Sequence, residues 1–336
     1  FFTCTLSVMY REKTKEGEIF GGPMYVIKNG LPKRMLPLAY FFALAGMIGC
    51  LPAFQSNQLI QITGDLAFSE IENFNILGGL VLAGITGFVV IGGLKRIAEV
   101  ATFLVPLMGS IYFGAMIVAL ILNLNLVLPA FKLILVDAFN GTAIAGGTFF
   151  GVLIYGVRRG AFSNEAGMGT ESLVHGVAKV SNPVKQGLVA MTGPIFDTLI
   201  ICTATALMIL VSGVWETSSS QGVTLTSEAF SVLLGSLGGF ILFVCVICFG
   251  LSTIFTYSYY GASCSRFLFG KFGMKFYIYL YILSIFIYSI VPIDIAINIA
   301  DGAFAMMAIP TLISALWLAP KVMQASKIYF KLIDNN

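Results

Sequence analysis

The chain has 336 residues, of which 58% are hydrophobic and 10% are charged, and its mean hydropathy is +0.93. Soluble domains usually carry about 25% charged residues, so this composition excludes an ordinary soluble protein. The net charge of +3 comes from basic residues scattered over short loops, which excludes a nucleic-acid partner. No polar linker separates the apolar runs, so we predict a single transmembrane domain over residues 1–336, embedded in a lipid bilayer.

The first apolar run, FFTCTLSVMY, ends at Arg11. It is too short to cross a bilayer, because a spanning helix needs about 20 apolar residues. No basic segment precedes it, as one would in a signal peptide. We interpret the run as the second half of a helix and expect the sequence to be truncated at its N-terminus.

Eight longer apolar runs follow, and each comes close to the length that a spanning helix needs. They cover residues 36–60, 74–91, 98–122, 131–155, 188–211, 237–261, 276–291 and 293–318. We therefore predict an all-α polytopic membrane protein with one half-helix and eight spanning helices.

The Lys and Arg residues predict how these helices are oriented, because cytoplasmic loops are enriched in positive charge. If the first half-helix ends in the cytoplasm, the cytoplasmic connections hold all of the 19 Lys and Arg residues except Lys132. Arg158 and Arg159 belong to one of these connections. Adding or removing one span would destroy this separation, so the pattern supports both the number of spans and their direction.

The predicted span at 131–155 is rich in glycine and reads NGTAIAGGTFFG at its centre. Glycine disfavours a continuous helix, and many transporters interrupt a helix near the bilayer midplane so that free backbone groups bind substrate and ions. Close packing of neighbouring helices explains the same glycines equally well. The glycines alone leave both interpretations open.

Two carboxylates lie well inside predicted spans, away from the span ends, where an ionisable group is a candidate functional residue. Asp301, in the last span, is a candidate substrate ligand. Asp197, in the span that follows the SNEAG sequence, is a candidate gating residue. The alternative for both is a structural role, in which the carboxylate accepts hydrogen bonds at helix ends.

The sequence gives little reason to expect a metal centre or an active site. Cys245 and Cys248 form a CxxC pair, but within a spanning helix they lie one turn apart and resemble small packing residues. His175 is the one histidine and lies in a predicted loop. No nucleophile with a paired base is recognisable in the spans, so we predict that the protein is not an enzyme and has no resident cofactor.

Six segments together resemble the alanine or glycine:cation symporter family, the sodium:alanine symporters. They are YREKTKEGEIFGGPMYVIKNGL, IGGLKRIAEVATFLVPLMGSIY, GVRRGAFSNEAGMGTESLVHGVAKVSNPVKQGL, FDTLIICTATALMIL, FGLSTIFTYSYYG and DGAFAMMAIPT. These segments follow the order of the family across nearly the whole chain. The resemblance implies a LeuT-like transporter with two inverted five-helix repeats, of which this sequence lacks core helix one and half of core helix two.

The resemblance also implies a substrate site. It makes the glycine-rich span core helix six, which is broken at its centre in this class of transporter. Backbone groups of Gly146, Gly147 and Thr148 are then expected to bind the carboxylate and the ammonium group of the substrate, with help from a half-helix dipole. Gln55, on core helix three, is expected to face the same pocket.

Ser252 and Thr253 match, by the same resemblance, a pair of hydroxyls on core helix eight that ligates sodium. Sodium prefers hard oxygen ligands, so two adjacent hydroxyls beside free carbonyls suit it. For the two residues taken by themselves, the alternative is a hydrogen bond from each hydroxyl to a carbonyl one turn earlier in the helix.

The SNEAG sequence suggests an inner gate. In this interpretation Glu165 pairs with Arg158 or Arg159, and Asn164 contributes to the gate. The alternative is that the sequence caps the next helix, with Ser163 or Asn164 accepting backbone N–H groups. We assign no substrate contact to this loop.

Three positions depart from the family pattern: Thr3 replaces a usual Glu, Thr311 a usual Asn, and Phe304 a position that is commonly polar. We predict sodium-coupled symport of a small neutral amino acid, alanine or glycine, by alternating access in the cell membrane. The alternative is a transport-dead fragment or a non-transporting membrane binding protein, which the absence of core helix one favours. A channel would differ by showing no saturable, sodium-dependent uptake.

Overall fold

We analysed the protein as a computed structural model, which describes residues 1–14, 17–68, 70–138, 148–220 and 222–334. Most of these residues are helical. They are α1 Phe2–Met9, α2 Pro23–Gly30, α3 Leu36–Gly49, α4 Ala53–Ala67, α5 Phe74–Val90, α6 Gly93–Leu122, α7 Leu124–Ala138, α8 Thr148–Asn164, α9 Thr170–His175, α10 Pro183–Ser212, α11 Val214–Thr217, α12 Val223–Leu234, α13 Ser236–Tyr288 and α14 Ile293–Asp334. Two short antiparallel strands, β1 Glu12–Lys13 and β2 Ile19–Phe20, form a hairpin between α1 and α2.

Within the described residues, five helical stretches are long and apolar enough to cross a membrane. They are Lys33–Asp65, Gly93–Leu122, Pro183–Ser212, Ser236–Tyr288 and Ile297–Asp334. Two shorter helices, α5 and α12, are also apolar. The chain is therefore an all-α polytopic membrane protein, whereas the LeuT-like repeat stays a prediction.

The longest helical stretch, α13, contains two crossings. Its backbone leaves the helical region at Gly270, with φ 68° and ψ −157°, a left-handed conformation that glycine adopts without a Cβ clash. Tyr281 then donates a hydrogen bond to the Ile254 carbonyl at 2.6 Å, so the second half of α13 lies back against the first half. The two predicted spans at 237–261 and 276–291 fall on either side of this reversal.

Two other predicted spans differ in detail. The span at 36–60 is divided, because α3 ends at Gly49 and α4 begins at Ala53, with Pro52 between them; proline has no N–H to continue the helical ladder. The span at 131–155 includes residues 139–147, which lie outside the described residues together with the predicted break at Gly146 and Gly147. Beyond them α8 continues to Asn164, well past the predicted end.

The interior of the bundle is formed by two sets of helix contacts: α14 packs against α3, and α13 packs against α3, α4, α5 and α6. Small residues allow the close approach: a Cβ added to Gly46 of α3 would lie 2.6 Å from Cys264 Sγ of α13. Phe42, Met307 and Ile254 are fully buried at this centre. Many apolar side chains on the outside, such as Phe88, are instead exposed, as expected for helices that contact lipid.

Three contacts bring together connections that the charge pattern assigns to the cytoplasmic face. Arg11 donates to the Ala178 carbonyl at 2.8 Å, Arg266 pairs with Glu18 at 2.9 Å, and Lys321 lies 2.9 Å from the Tyr10 hydroxyl. On the opposite side, Asn57 donates to the Val291 carbonyl at 2.6 Å. These contacts bring connections that are predicted to be cytoplasmic together at one end of the bundle, and the orientation in the membrane stays a prediction.

Candidate functional site

The most unusual backbone inside the bundle is an interruption between α8 and α9, at residues 165–169. Glu165 has φ 54°, Gly167 has φ 82° and Gly169 has φ 97°. Positive φ is uncommon for a residue with a side chain, so Glu165 is held in this conformation by its surroundings. We call residues 165–169 the break.

Side chains from both ends of the break satisfy its backbone groups. Asn164 Oδ1 accepts a hydrogen bond from the Ala166 N–H at 2.9 Å, and Glu171 Oε2 accepts one from the Gly169 N–H at 3.0 Å. Buried backbone groups need such partners. Glu171 Oε1 is buried without a hydrogen-bond partner among the described residues, so an acceptor remains beside the break.

Three elements hold the break from the outside. Thr311 of α14 donates to the Met168 carbonyl at 3.2 Å. A Cβ added to Gly169 would lie 2.6 Å from both Pro23 Cγ and Thr311 Oγ1, and 2.8 Å from Phe42 Cε2. The positive φ and this close packing require glycine at position 169. The break therefore lies in contact with α2, α3 and α14.

Tyr257 of α13 connects the break to a row of aromatic rings. Its hydroxyl donates to Glu165 Oε1 at 2.8 Å. Its ring lies 6.2 Å from that of Phe304, which lies 5.4 Å from Phe162, which in turn lies 6.3 Å from Phe54. We call Phe54, Phe162, Tyr257 and Phe304 the aromatic row; it joins α4, α8, α13 and α14 next to the break.

The arginines before the break have a different partner from the expected one. Arg158 and Arg159 both pair with Asp301 of α14, Arg159 at 3.1 Å, and the Asp301 side chain is 5% exposed. The suggested pairing with Glu165 is not present, because Glu165 lies beyond the helix end and faces Tyr257. The two arginines lie within α8 and not, as was predicted, in a connection between helices. Their partner Asp301 lies about 12 Å along α14 from the start of that helix.

Asp197 also contacts α8. It accepts hydrogen bonds from Ser163 at 2.6 Å and from Thr198 at 3.2 Å. It lies in the Ile195–Cys202 segment of α10, which is wound as a π-helix, and such segments are frequent at functional sites. The structure therefore places Asp197 beside the end of α8, and its gating role stays a prediction.

The predicted sodium ligands lie one turn before Tyr257. Ser252 and Thr253 both donate to the Phe249 carbonyl, at 2.9 and 3.0 Å, which is the arrangement that their residue types alone suggest. A hydroxyl that donates its proton keeps lone pairs that can bind a cation. The hydrogen bonds are compatible with both interpretations.

The remaining predicted ligands are only partly described. Gln55 is half-buried and follows Phe54 of the aromatic row. Thr148 begins α8, but its side chain lies outside the described part of the structure, as do Gly146 and Gly147 altogether. Sequence reasoning missed the break at 165–169, although the GMG sequence around Met168 and the acidic residues beside it could have indicated an interruption.

A polytopic helical bundle with a charged, buried helix interruption is typical of a membrane transporter. The sodium:alanine symporter family model matches residues 1–336, and the chain belongs to this family. It is similar to the uncharacterised transporter YflA of Bacillus subtilis, with 37% identity over 96% of this chain and 69% of the relative. It is also similar to the sodium/alanine symporter AgcS of Methanococcus maripaludis, with 34% identity over 98% and 74%.

Another relative, the probable sodium/glutamine symporter GlnT of Bacillus subtilis, is 33% identical over 98% of this chain and 68% of its own length. The names of AgcS and GlnT share sodium but differ in the amino acid. Family membership makes the chain a sodium:amino-acid symporter of the cell membrane and not an enzyme. It does not identify the amino acid.

Proposed function

We propose that the protein couples the entry of Na⁺ to the uptake of a small neutral amino acid, alanine or glycine, by alternating access. The observation that carries this proposal is the break at 165–169. It lies inside the bundle, contacts helices from several parts of the chain, and carries a carboxylate. An interrupted helix at such a position is a common substrate site in transporters.

A zwitterionic amino acid needs a negative group for its ammonium and a positive group for its carboxylate. Glu165 supplies the first, and Arg159, whose Nε is buried without a hydrogen-bond partner in the described residues, supplies the second. Arg159 lies in the last two turns of α8, and Glu165 directly follows the end of that helix. In this proposal a small zwitterion bridges the two charges with a hydrogen bond at each end. This assignment gives the SNEAG loop a substrate contact that the sequence alone did not suggest.

The aromatic row explains why the substrate would be small. Phe162 lies between Arg159 and Glu165 in the chain, and Phe304 packs on it at 5.4 Å. These rings would occupy the space that a large substrate side chain needs. Asp301, which was expected to bind substrate, instead orients Arg159 in this proposal.

Sodium would bind to hydroxyl lone pairs of Ser252 and Thr253 on α13. Both hydroxyls are fixed by the Phe249 carbonyl, so their lone pairs have a defined direction. Tyr257 lies one turn further along the same helix and contacts Glu165. Occupation of the sodium site can therefore affect the substrate site through a single rigid helix, which is the physical requirement for coupling.

The energetics favour accumulation. One charge that crosses the membrane potential releases about 2.3 kcal/mol per 100 mV. Since about 1.4 kcal/mol corresponds to a tenfold concentration ratio, one or two sodium ions can concentrate an uncharged amino acid many-fold. A rocking motion of one helix bundle against the other would expose the site to each side in turn.

The test is uptake of radiolabelled alanine by the protein reconstituted into liposomes, with an inward gradient of sodium or of potassium. We expect saturable accumulation with sodium, inhibited by unlabelled glycine and weakly by glutamine. Equal uptake in both gradients would contradict sodium coupling. Sodium-dependent binding without accumulation would favour the non-transporting binding protein, and inhibition by glutamine stronger than by glycine would contradict the proposed substrate.

A further inference from the structure

A second carboxylate lies beside the break and has no role in the proposed transport cycle. Glu171 follows the break by two residues, in the first turn of α9. Its Oε2 accepts a hydrogen bond from the Gly169 N–H at 3.0 Å, while its Oε1 is buried without a hydrogen-bond partner among the described residues. The break therefore has a carboxylate at each end, Glu165 at its start and Glu171 just beyond its end.

Hydrogen bonds fix the backbone that carries Glu171. Ser172 donates to the Gly169 carbonyl at 2.8 Å, and the Ser172 carbonyl accepts a hydrogen bond from the Ser7 hydroxyl of α1 at 2.7 Å. Ser7 Oγ in turn accepts the N–H of Gly22, which precedes α2, at 2.6 Å. The first turn of α9 is thus tied to the break, to α1 and to the start of α2.

The surroundings of Glu171 disfavour its charged form. Burial raises the pKa of the Glu171 carboxyl to about 7, and the Glu165 carboxylate raises it as well, whereas the Thr3 hydroxyl and the Gly169 N–H lower it. The adjacent Thr170 hydroxyl is fully buried and has no hydrogen-bond partner in the described part of the chain. Unpaired buried polar atoms cost free energy. A proton on Glu171 removes the buried charge and supplies a hydrogen-bond donor in this region.

Other titratable groups face Glu171 from the neighbouring elements. Cys4 of α1 and Tyr260 of α13 interact with it electrostatically, but thiols and phenols are ordinarily neutral at pH 7. His175 lies one turn further along α9, and its Nδ1 lies 2.5 Å from Gln186 Nε2. Burial lowers the pKa of His175, so its ring is largely neutral at pH 7. Glu171 is therefore the member of this set whose charge responds most to pH near neutrality.

We infer that Glu171 is a proton-binding site, and that a proton bound there opposes binding of the substrate's ammonium group at Glu165. Ionised Glu171 adds negative charge near the ammonium group. It also strengthens the hydrogen bond from Gly169, because a charged acceptor binds an N–H more strongly than a neutral one. Protonation removes both effects. When the site is open to one side of the membrane, the proton is exchanged with water on that side.

The second half of this inference rests on the proposed function. Coupling between two ligands is reciprocal, so a bound amino acid should expel the proton from Glu171. Two charges roughly 10 Å apart in a protein with an effective dielectric constant of about 20 change each other's binding roughly tenfold. If the ammonium group makes Glu171 tenfold more acidic, about 0.4 proton is released per bound alanine at pH 7.

The proton site itself is tested without substrate. The melting temperature of the purified protein is measured from pH 5 to pH 8.5 for the wild type and for Glu171→Gln, which keeps an oxygen that can accept the Gly169 N–H. A carboxyl whose pKa is higher in the folded than in the unfolded protein contributes stability at low pH, and this stability is lost as the pH rises to the folded pKa. We expect the wild type to lose several degrees between pH 5 and pH 7 relative to Glu171→Gln. Glu216→Gln removes a carboxylate at an exposed position and should follow the wild type.

The coupling to the break is tested by calorimetric titration of alanine in sodium, in two buffers with different enthalpies of ionisation, which gives the number of protons released. We expect about 0.4 proton at pH 7 for the wild type and none for Glu171→Gln. The Kd for alanine should rise about fivefold from pH 8 to pH 6 in the wild type, and this rise should be absent in Glu171→Gln. If Glu171→Gln does not fold, Thr3→Val takes its place. Thr3→Val removes a hydroxyl that favours the charged form, so proton release should shift to higher pH.

The outcomes distinguish this inference from the proposed function. The same pH dependence of melting in the wild type and Glu171→Gln, or the same loss of that dependence in Glu216→Gln, would overturn the proton site. Alanine binding without proton release would overturn its coupling to the break. No alanine binding by the wild type, together with melting that depends on Glu171, would contradict the proposed function and support the proton site. A melting difference that follows sodium concentration and not pH would identify a sodium site instead.

Discussion

Tyr257 donates a hydrogen bond of 2.8 Å to Glu165, although 92 residues separate them in the chain. The contact joins α13, which carries the proposed sodium ligands, to the break that carries the proposed substrate site. Among the described residues, this hydrogen bond is the most direct link between the two proposed sites.

Tyr257→Phe is expected to weaken transport. A hydrogen bond to a charged group contributes about 1.5–3 kcal/mol, so its loss should leave the Glu165 carboxylate without this donor and lower sodium-driven alanine uptake by at least about tenfold. Tyr260→Phe is the matched control, because Tyr260 is buried on the same helix with no hydrogen bond found for its hydroxyl in the described residues. Equal uptake by both variants would contradict the coupling role of Tyr257.

Gly169→Ala is expected to prevent formation of the break. The added Cβ would lie 2.6 Å from Thr311 Oγ1 at a φ of 97°, and strain of this kind costs about 1–3 kcal/mol. We expect a lower melting temperature and loss of uptake. Gly156→Ala is the control, since Gly156 lies in α8 with no neighbouring atom near the new Cβ; a similar effect in both variants would contradict the packing described here.

Asp301→Asn should disturb both arginines. The carboxylate is 5% exposed and neutralises two guanidinium groups that are themselves partly exposed, so we expect destabilisation of about 1–3 kcal/mol together with a raised KM for alanine. Asp294→Asn removes the same charge from the exposed start of α14 and should have little effect.

A double-mutant cycle of Asp301→Asn with Arg159→Gln separates positioning from direct binding. Residues in one ion-pair network couple non-additively, so the double variant should lose less than the sum of the two single variants. Strict additivity would mean that Asp301 and Arg159 act independently.

Thr253→Ala should change the response to sodium and leave the maximal rate of uptake nearly unchanged. Loss of one cation ligand worth about 1.4 kcal/mol raises the half-saturating sodium concentration about tenfold. Thr253→Ser, which keeps the oxygen, should restore it. Thr256→Ala removes a comparable hydroxyl that donates to the Ser252 carbonyl at 2.9 Å and should leave the sodium response intact; an equal shift in Thr256→Ala would favour a purely structural role.

The apolar helices could be predicted from the sequence because lipid imposes a simple rule on length and hydropathy. The predicted spans at 74–91 and 98–122 end within a residue of α5 and at the last residue of α6. The reversal at Gly270 falls between the predicted spans at 237–261 and 276–291, where basic residues interrupt the apolar sequence. The interruption at Pro52 was harder to predict, because it lies within a single apolar run.

The site was less predictable than the fold. Charge and proximity in sequence suggested Glu165 as the partner of Arg158 and Arg159, whereas the actual partner, Asp301, is more than 140 residues away. The break was missed because the SNEAG sequence resembles a surface loop or a helix cap. Its burial depends on Tyr257 and Thr311, which come from distant helices.

The central claim, that the break is the substrate site, can be tested by chemical labelling. Ala166 is exposed within the break, so Ala166→Cys provides a reporter in a background where the exposed Cys202 is replaced by serine. Labelling by a membrane-permeant maleimide is followed in sodium or choline, with and without alanine. We predict that alanine slows labelling in sodium and has no effect in choline; a rate that is the same under all four conditions would contradict the proposed site.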